Sequence, residues 1–355
     1  MWHAGKLAIH VALLIILCAT TPHIACAFDG KPFDGWPPLL EAASKGRVKV
    51  IEDRLNLGDN VNLRDRDGDT ALMYAARYGQ LAAVEYLLQR KADVAVRNRD
   101  QTTALMWAAR AGYTPVVQLL LKKGADPAAQ DSLGNTALHW AVRRQFAEIA
   151  LALIAGGASP DQKDEKGYTA LILAIQRNQL NLATRLIELG ADSNLRDKQG
   201  HTALWHALRR GTADIFDKLL DKTRTAQMQD TEGLTLLHTA AAMGYTHVVN
   251  TLLSRGSDVS ARSKQGNTAL MLAAANGHSE VVRLLLEKGS RVNDRNEHGN
   301  TALHLSAESG QIGVVRQLMS ANADPAILNK HGETARQVAK RERKENVVSV
   351  LPGEQ

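Results

Sequence analysis

The sequence predicts an all-α solenoid of stacked helix-turn-helix units. Its main evidence is a short phrase, Thr-Ala-Leu in most copies, that returns every 33 residues without insertion or deletion. The copies begin at Pro37, Thr70, Thr103, Thr136, Thr169, Thr202, Thr235, Thr268, Thr301 and Thr334. A fixed period of this length requires each unit to bury its apolar face against its neighbours.

Each copy contains the same elements in the same order. A glycine two residues before the threonine, such as Gly134, predicts a tight turn with a positive φ, and Gln101 is the exception to this rule. The threonine predicts the N-cap of a first helix. A second glycine, such as Gly79, predicts the end of that helix. A second helix follows, with apolar pairs and triplets as in residues 116–121.

These elements resemble the ankyrin repeat, a β-turn followed by two antiparallel helices with the phrase T-P-L-H-x-A. The resemblance covers about residues 32–352, although alanine replaces the proline in most copies. It implies a groove, lined by part of each first helix, that is the family's usual ligand surface. It also implies a structural role for His139, His238 and His304, which stand at the histidine of the phrase.

The expected organisation has four parts. Residues 1–27 are a signal peptide, 28–36 an N-terminal cap segment, 37–333 a nine-repeat solenoid, and 334–355 a C-terminal capping repeat and tail. The sixth copy lacks the Gly-Ala-Asp ending found in other copies, which predicts a loosened joint near 221–230. Neutral variation in a tolerant repeat is the alternative interpretation.

The leader is typical of a secretory signal. Lys6 precedes an apolar run over 7–19, and Ala25-Cys26-Ala27 is a small-residue cleavage site. Cleavage after Ala27 removes Cys18 and Cys26, so the exported chain has no cysteine chemistry and no membrane-spanning segment. We expect a periplasmic or secreted protein; an uncleaved anchor or a lipoprotein attached through Cys26 are the alternatives.

The sequence contains no catalytic constellation, so we expect no enzymatic activity, no cofactor and no metal site. His201 and His206 are five residues apart, whereas side chains on one helix face are three or four apart. The segment 65–69 is rich in aspartate but lacks the later ligands of a calcium loop, and is interpreted as a turn tip.

One pattern is not explained by the scaffold alone. In three successive first helices an aromatic residue stands three positions before an arginine, and such pairs share a helix face. Further arginines and a tyrosine lie near the same rim of the groove. The predicted partner-binding residues are Tyr74, Arg77, Tyr78, Trp107, Arg110, Trp140, Arg143, Arg144, Arg177 and Arg209. Alternatively, the rings fill space between repeats and the arginines are solvated surface stacked on them.

Copies seven to nine have neither an aromatic nor a basic residue at these positions, so the basic and aromatic groove belongs to copies two to six. We therefore predict a non-enzymatic protein-protein interaction module of the bacterial cell envelope. Its partner is another exported protein with an acidic surface or segment. The alternatives are a ligand of anionic envelope polymers or lipids, or a secreted effector that acts on host proteins. Export argues against a nucleic-acid partner, and we expect a monomer.

Overall fold

The computed structural model describes residues 37–222 and 228–353. The predicted signal peptide and N-terminal cap segment lie outside the described residues. Over the described ranges the chain forms twenty helices and no strand, which confirms the predicted all-α solenoid of helix-turn-helix units. Among these helices, none combines the length and the apolar character that a bilayer span requires.

Each repeat contributes one pair of helices. In chain order they are α1 (Pro38–Ser44), α2 (Val48–Asn56), α3 (Ala71–Arg77), α4 (Leu81–Gln89), α5 (Ala104–Ala111), α6 (Thr114–Lys122), α7 (Ala137–Arg143), α8 (Ala147–Ala155), α9 (Ala170–Gln176), α10 (Leu180–Glu188), α11 (Ala203–Arg210), α12 (Ala213–Lys222), α13 (Leu236–Ala242), α14 (Thr246–Ser254), α15 (Ala269–Ala275), α16 (Ser279–Glu287), α17 (Ala302–Glu308), α18 (Ile312–Ser320), α19 (Ala335–Arg341) and α20 (Glu345–Val348).

The helices belong to two compact units, one ending at Leu236 and the other beginning at Leu237. In the first unit, α1, α3, α5, α7, α9 and α11 pack successively into one layer, and α2, α4, α6 and α8 pack into a second. In the other unit, α15, α17 and α19 form one layer and α14, α16, α18 and α20 the other. The joint near 221–230 includes undescribed residues and stays a prediction, as do the limits 37–333 and 334–355.

The turn before each first helix explains the repeated phrase. Thr136 caps α7 by accepting the N–H of His139 at 3.3 Å. Gly134 has a φ of +72°, as the turn requires. Gln101 has the same left-handed conformation, with a φ of +61°, so the turn persists where glycine is absent. That conformation costs a non-glycine residue about 1 kcal/mol or more.

A side-chain oxygen holds each turn from inside. Oδ1 of Asp164 accepts the backbone N–H groups of Lys166 at 2.9 Å and Tyr168 at 2.8 Å. Asp65 accepts the N–H groups of Asp67 and Asp69 in the same way, so the aspartate-rich segment forms a turn tip. This arrangement leaves Oδ2 of each turn carboxylate available to a second donor.

His139 has a structural position. Its Nδ1 lies 2.8 Å from Thr136 Oγ1 and accepts the Thr136 N–H at 3.2 Å, while its Nε2 lies 3.0 Å from the carbonyl oxygen of Tyr168 in the next repeat. His304 makes the equivalent bonds to Thr301 and to the Glu333 carbonyl. These bonds require the neutral imidazole with its proton on Nε2. Burial lowers the pKa of both rings.

We expect these two histidines to make the fold sensitive to acid. Their folded-state pKa lies below the unfolded value of about 6.5, so their stabilising effect is complete above that pH and is lost as the pH falls towards the folded-state pKa. The melting temperature should therefore fall between about pH 7 and pH 5. The variant His139→Met/His304→Met, with the residue type of Met106, should show a smaller fall by circular dichroism. A variant with the same pH dependence as the parent would contradict this expectation.

Candidate functional site

Two aromatic side chains of the first helices donate hydrogen bonds to the carboxylates of the turns that precede them. Tyr74 Oη donates to Asp65 Oδ2 at 2.6 Å, and Trp140 Nε1 donates to Asp131 Oδ2 at 2.9 Å. Burial, together with the neighbouring Asp65, raises the pKa of Tyr74 well above its usual value, so the phenol stays protonated as a donor. Tyr74 is only 4% exposed. A bound partner would therefore contact Arg77 rather than the ring of Tyr74.

The arginines stack on rings of the following repeat. Arg77 Cζ lies 4.4 Å from the centroid of the Trp107 ring, and Arg110 Cζ lies 4.6 Å from that of Trp140. Arg110 is also 5.2 Å from Trp107, the ring of its own helix that the sequence spacing predicted. Cations at these distances are attracted to the ring face. The series is thus a half-buried ladder of alternating guanidinium groups and indoles across three repeats.

Arg143 ends this ladder. Leu173 stands where the next ring would be, and Arg143 instead forms an ion pair with Asp164 of the next turn. Its Nε also donates to Asn135 Oδ1 at 3.1 Å. The side chains are 23% exposed for Arg143 and 2% for Asp164, so this pair contributes to the stacking of the repeats.

The other predicted arginines lie closer to solvent. Arg144, Arg177 and Arg209 are exposed, while Tyr78 is half-buried with Arg77 Cζ 5.8 Å from its ring. The partner-binding role of all ten residues stays a prediction.

A cleft of about 390 Å³ lies beside the Arg143–Asp164 pair. It is lined by Leu133, Asn135, Trp140, Arg143, Arg144, Asp164, Glu165, Lys166 and Arg177. The cleft brings together four of the predicted residues, whereas the other six lie outside its lining. Leu133 and Lys166 were not among the predicted residues, because they lie on turn tips and carry no helical periodicity. Leu133 is 54% exposed, a large fraction for an apolar side chain.

The cleft combines two kinds of surface. Arg144, Lys166 and Arg177 are exposed cations beside one exposed carboxylate, that of Glu165, and Arg143 pairs with Asp164. Leu133 and the half-buried ring of Trp140 are apolar. Such a cleft can hold a carboxylate next to an apolar side chain.

A second cluster lies in the turn before α11 and in α11 itself. His201 and His206, set aside by their spacing, both approach Asp197: His206 Nε2 is 2.9 Å and His201 Nδ1 is 3.8 Å from Asp197 Oδ2. The helix-face rule did not apply because His201 belongs to the turn, not to the helix. Burial lowers the pKa of His201. Burial acts to raise the pKa of Asp197, but the hydrogen bonds from His206 and from the His201 backbone lower it.

A family model described as ankyrin repeats (3 copies) matches residues 8–98, 39–131, 105–197, 171–263 and 256–329 of the chain. None of the curated proteins compared with the chain matches it.

Proposed function

The chain belongs to the ankyrin repeat family, and we propose that it binds an exported partner protein through the cleft between Arg144 and Arg177. Ankyrin repeats are generally protein-protein interaction modules, and the family is generally non-enzymatic. The cleft is the observation that carries the proposal, because it places exposed cations beside exposed apolar surface. The partner segment has an acidic side chain next to an apolar one.

The chemistry of the lining supports this ligand class. Guanidinium groups bind carboxylates with paired, charge-assisted hydrogen bonds. Arg144 and Arg177 can approach one carboxylate from two repeats, and Lys166 adds a third cation. Leu133 and Trp140 provide apolar contact area for the adjacent residue. The ladder of Arg77, Trp107, Arg110 and Trp140 extends this surface along the stack, so a longer partner segment gains further contacts.

Export is part of the proposal and rests on the sequence of residues 1–27. Cleavage after Ala27 leaves Phe28 as the first residue of the exported chain. The mass of the protein purified after expression of the whole sequence tests this assignment. An intact leader in that protein would contradict it.

The binding function is tested with peptides of defined sequence. A displayed peptide library is panned on the parent protein, and the affinity of the best peptide is measured by calorimetry. We expect acidic residues flanked by apolar ones. Arg144→Glu/Arg177→Glu should weaken binding at least ~100-fold, because each charge-assisted hydrogen bond contributes about 1.5–3 kcal/mol and the reversal adds repulsion. Arg143 is left intact because its pair with Asp164 supports the fold.

The matched control reverses the same number of charges away from the cleft. Lys122 and Lys123 are exposed at the end of α6, so Lys122→Glu/Lys123→Glu changes the net charge equally. Equal weakening by the two double variants, or a library that yields no peptide, would refute the cleft as a peptide site. Binding of polyphosphate or anionic vesicles with steep salt dependence and no peptide selectivity would favour the polyanion alternative.

A further inference from the structure

Three potential metal-binding side chains meet in the turn before α11 and in α11 itself. Asp197, His201 and His206 are each buried, and each offers one ligand atom within 4.8 Å of the other two. Asp197 Oδ2 lies 2.9 Å from His206 Nε2 and 3.8 Å from His201 Nδ1. Atoms bonded to one tetrahedral zinc ion at about 2.0–2.1 Å are roughly 3.4 Å apart, which falls between these two distances.

The remaining polar atom of each side chain is held by the scaffold. Asp197 Oδ1 accepts the N–H groups of Gln199 and His201, each at 2.9 Å. His201 Nε2 lies 3.2 Å from Asp230 Oδ2, and His206 Nδ1 lies 3.3 Å from the Gln176 amide. A carboxylate on the outer nitrogen of a histidine, as Asp230 is on His201, is a usual support of a metal ligand. Gln176 presents its amide nitrogen to His206 Nδ1 and must turn its amide group to offer the oxygen instead.

One atom of this cluster is not explained by the scaffold. His201 is only 7% exposed, and its buried Nδ1 has no hydrogen-bond partner among the described residues. Buried polar atoms without a partner are uncommon because they lose their hydration without compensation. Nδ1 faces Asp197 Oδ2 at 3.8 Å, too far for a hydrogen bond but suited to a shared ion.

The aromatic neighbours fix the orientation of both rings. His201 stacks on Trp205 with a centroid distance of 4.7 Å, and the His206 ring meets the edge of Tyr168 at 5.8 Å. A ring held by stacking and by a hydrogen bond on its outer nitrogen is already oriented before it binds a metal.

We propose that Asp197 Oδ2, His201 Nδ1 and His206 Nε2 bind a divalent transition metal ion of the zinc type. Two imidazoles and one carboxylate are zinc ligands, whereas calcium and magnesium require mainly oxygen. Water completes the coordination. Binding displaces the proton between His206 and Asp197, and Gln176 can then accept the Nδ1 proton through its amide oxygen.

Comparison with the equivalent positions of other repeats shows which contacts of this cluster are common to the scaffold and which are particular to it. Tyr74 and Trp140 contact their turn carboxylates as His206 contacts Asp197, so the bond to His206 alone is an ordinary scaffold contact. In the fourth repeat, Asn135 stands where the sixth has His201. The two histidines thus occur together in one repeat, and the same scaffold folds without them.

The test uses protein purified without a polyhistidine tag after expression of the whole sequence. The protein is stripped with a chelator and titrated with Zn²⁺ by calorimetry, and with Co²⁺ by visible absorption, which reports low coordination numbers. We expect one ion per chain. The variant His201→Asn/His206→Trp, which copies Asn135 and Trp140 beside the turn carboxylate, should bind at least ~100-fold more weakly, since two ligands are lost.

Two further variants make the result decisive. His201→Asn alone keeps the His206 scaffold contact and should also lose binding, so the proposal stays testable if the double variant does not fold. His139→Met/His304→Met removes two buried histidines elsewhere and should bind zinc as the parent does. Absence of binding by the parent, or equal affinity in the parent and in folded His201→Asn, would overturn the proposal.

Discussion

Asp164→Ala is expected to lower the free energy of unfolding of the first unit by about 3 kcal/mol, because it removes the ion-pair partner of Arg143 and the acceptor of two turn N–H groups together. Asp164 is 2% exposed in its side chain and pairs with Arg143. It also accepts two backbone N–H groups of its own turn, from Lys166 and Tyr168. Alanine leaves these three donors without their acceptor in a largely buried position.

This expectation is measured by urea titration with tryptophan fluorescence, because the later unit contains no tryptophan. Asp164→Asn is the matched control. It keeps Oδ1 for the backbone N–H groups, as Asn296 does in its own turn, and removes only the charge beside Arg143. We expect the asparagine variant to lose about 1 kcal/mol. If alanine costs no more than asparagine, the carboxylate does not hold the turn as described.

Gly167→Ala should have a comparable effect through a steric contact between successive turns. Gly167 has a φ of +79°, and an added Cβ would lie 2.8 Å from the Lys198 backbone nitrogen and 2.9 Å from Asp197 Cα. The same Lys198 N–H donates to the Lys166 carbonyl at 3.0 Å, so the two backbones cannot separate without losing that bond. We expect a loss of about 3 kcal/mol from the combination of backbone strain and overpacking.

The control for this substitution lies in the fourth repeat. Gly157 has a φ of +95°, but an added Cβ would have no atom within 4 Å beyond its own residue and its two chain neighbours. Gly157→Ala therefore reports backbone strain alone, at about 1 kcal/mol. The two variants are compared by the same urea titration. Equal losses in both would show that the turns are not packed as closely as the structure indicates.

Much of the fold follows from the sequence because its rules act within one repeat. The turn glycines, the threonine caps and the apolar spacing each involve residues a few positions apart, so they can be read from one copy and checked in nine others. The structural roles of His139 and His304 were also predictable, because the phrase that contains them predicts where they lie. Gln145 and Asn178 stand in the fourth and fifth copies where other copies have the helix-ending glycine, and they adopt the same left-handed conformation, with φ of +65° and +58°.

The candidate site was only partly predictable. The aromatic and arginine spacing indicated Trp140 and Arg143, and both line the cleft together with Arg144 and Arg177. Leu133 and Lys166 lie on turn tips, where the side chains have no periodic pattern, and their approach to the cleft depends on the stacking of neighbouring turns.

The sequence by itself determined the repeating all-α architecture and the local turn chemistry. Only the tertiary structure decided which groups of neighbouring repeats meet. Arg143 pairs with Asp164 across 21 residues, and Arg77 lies over Trp107 of the following repeat. His201 and His206 meet because the turn folds back over the start of its helix, a geometry that helical spacing does not describe. These contacts depend on the distance between stacked repeats and on the path of the turn, which the identity and spacing of residues within one helix do not specify.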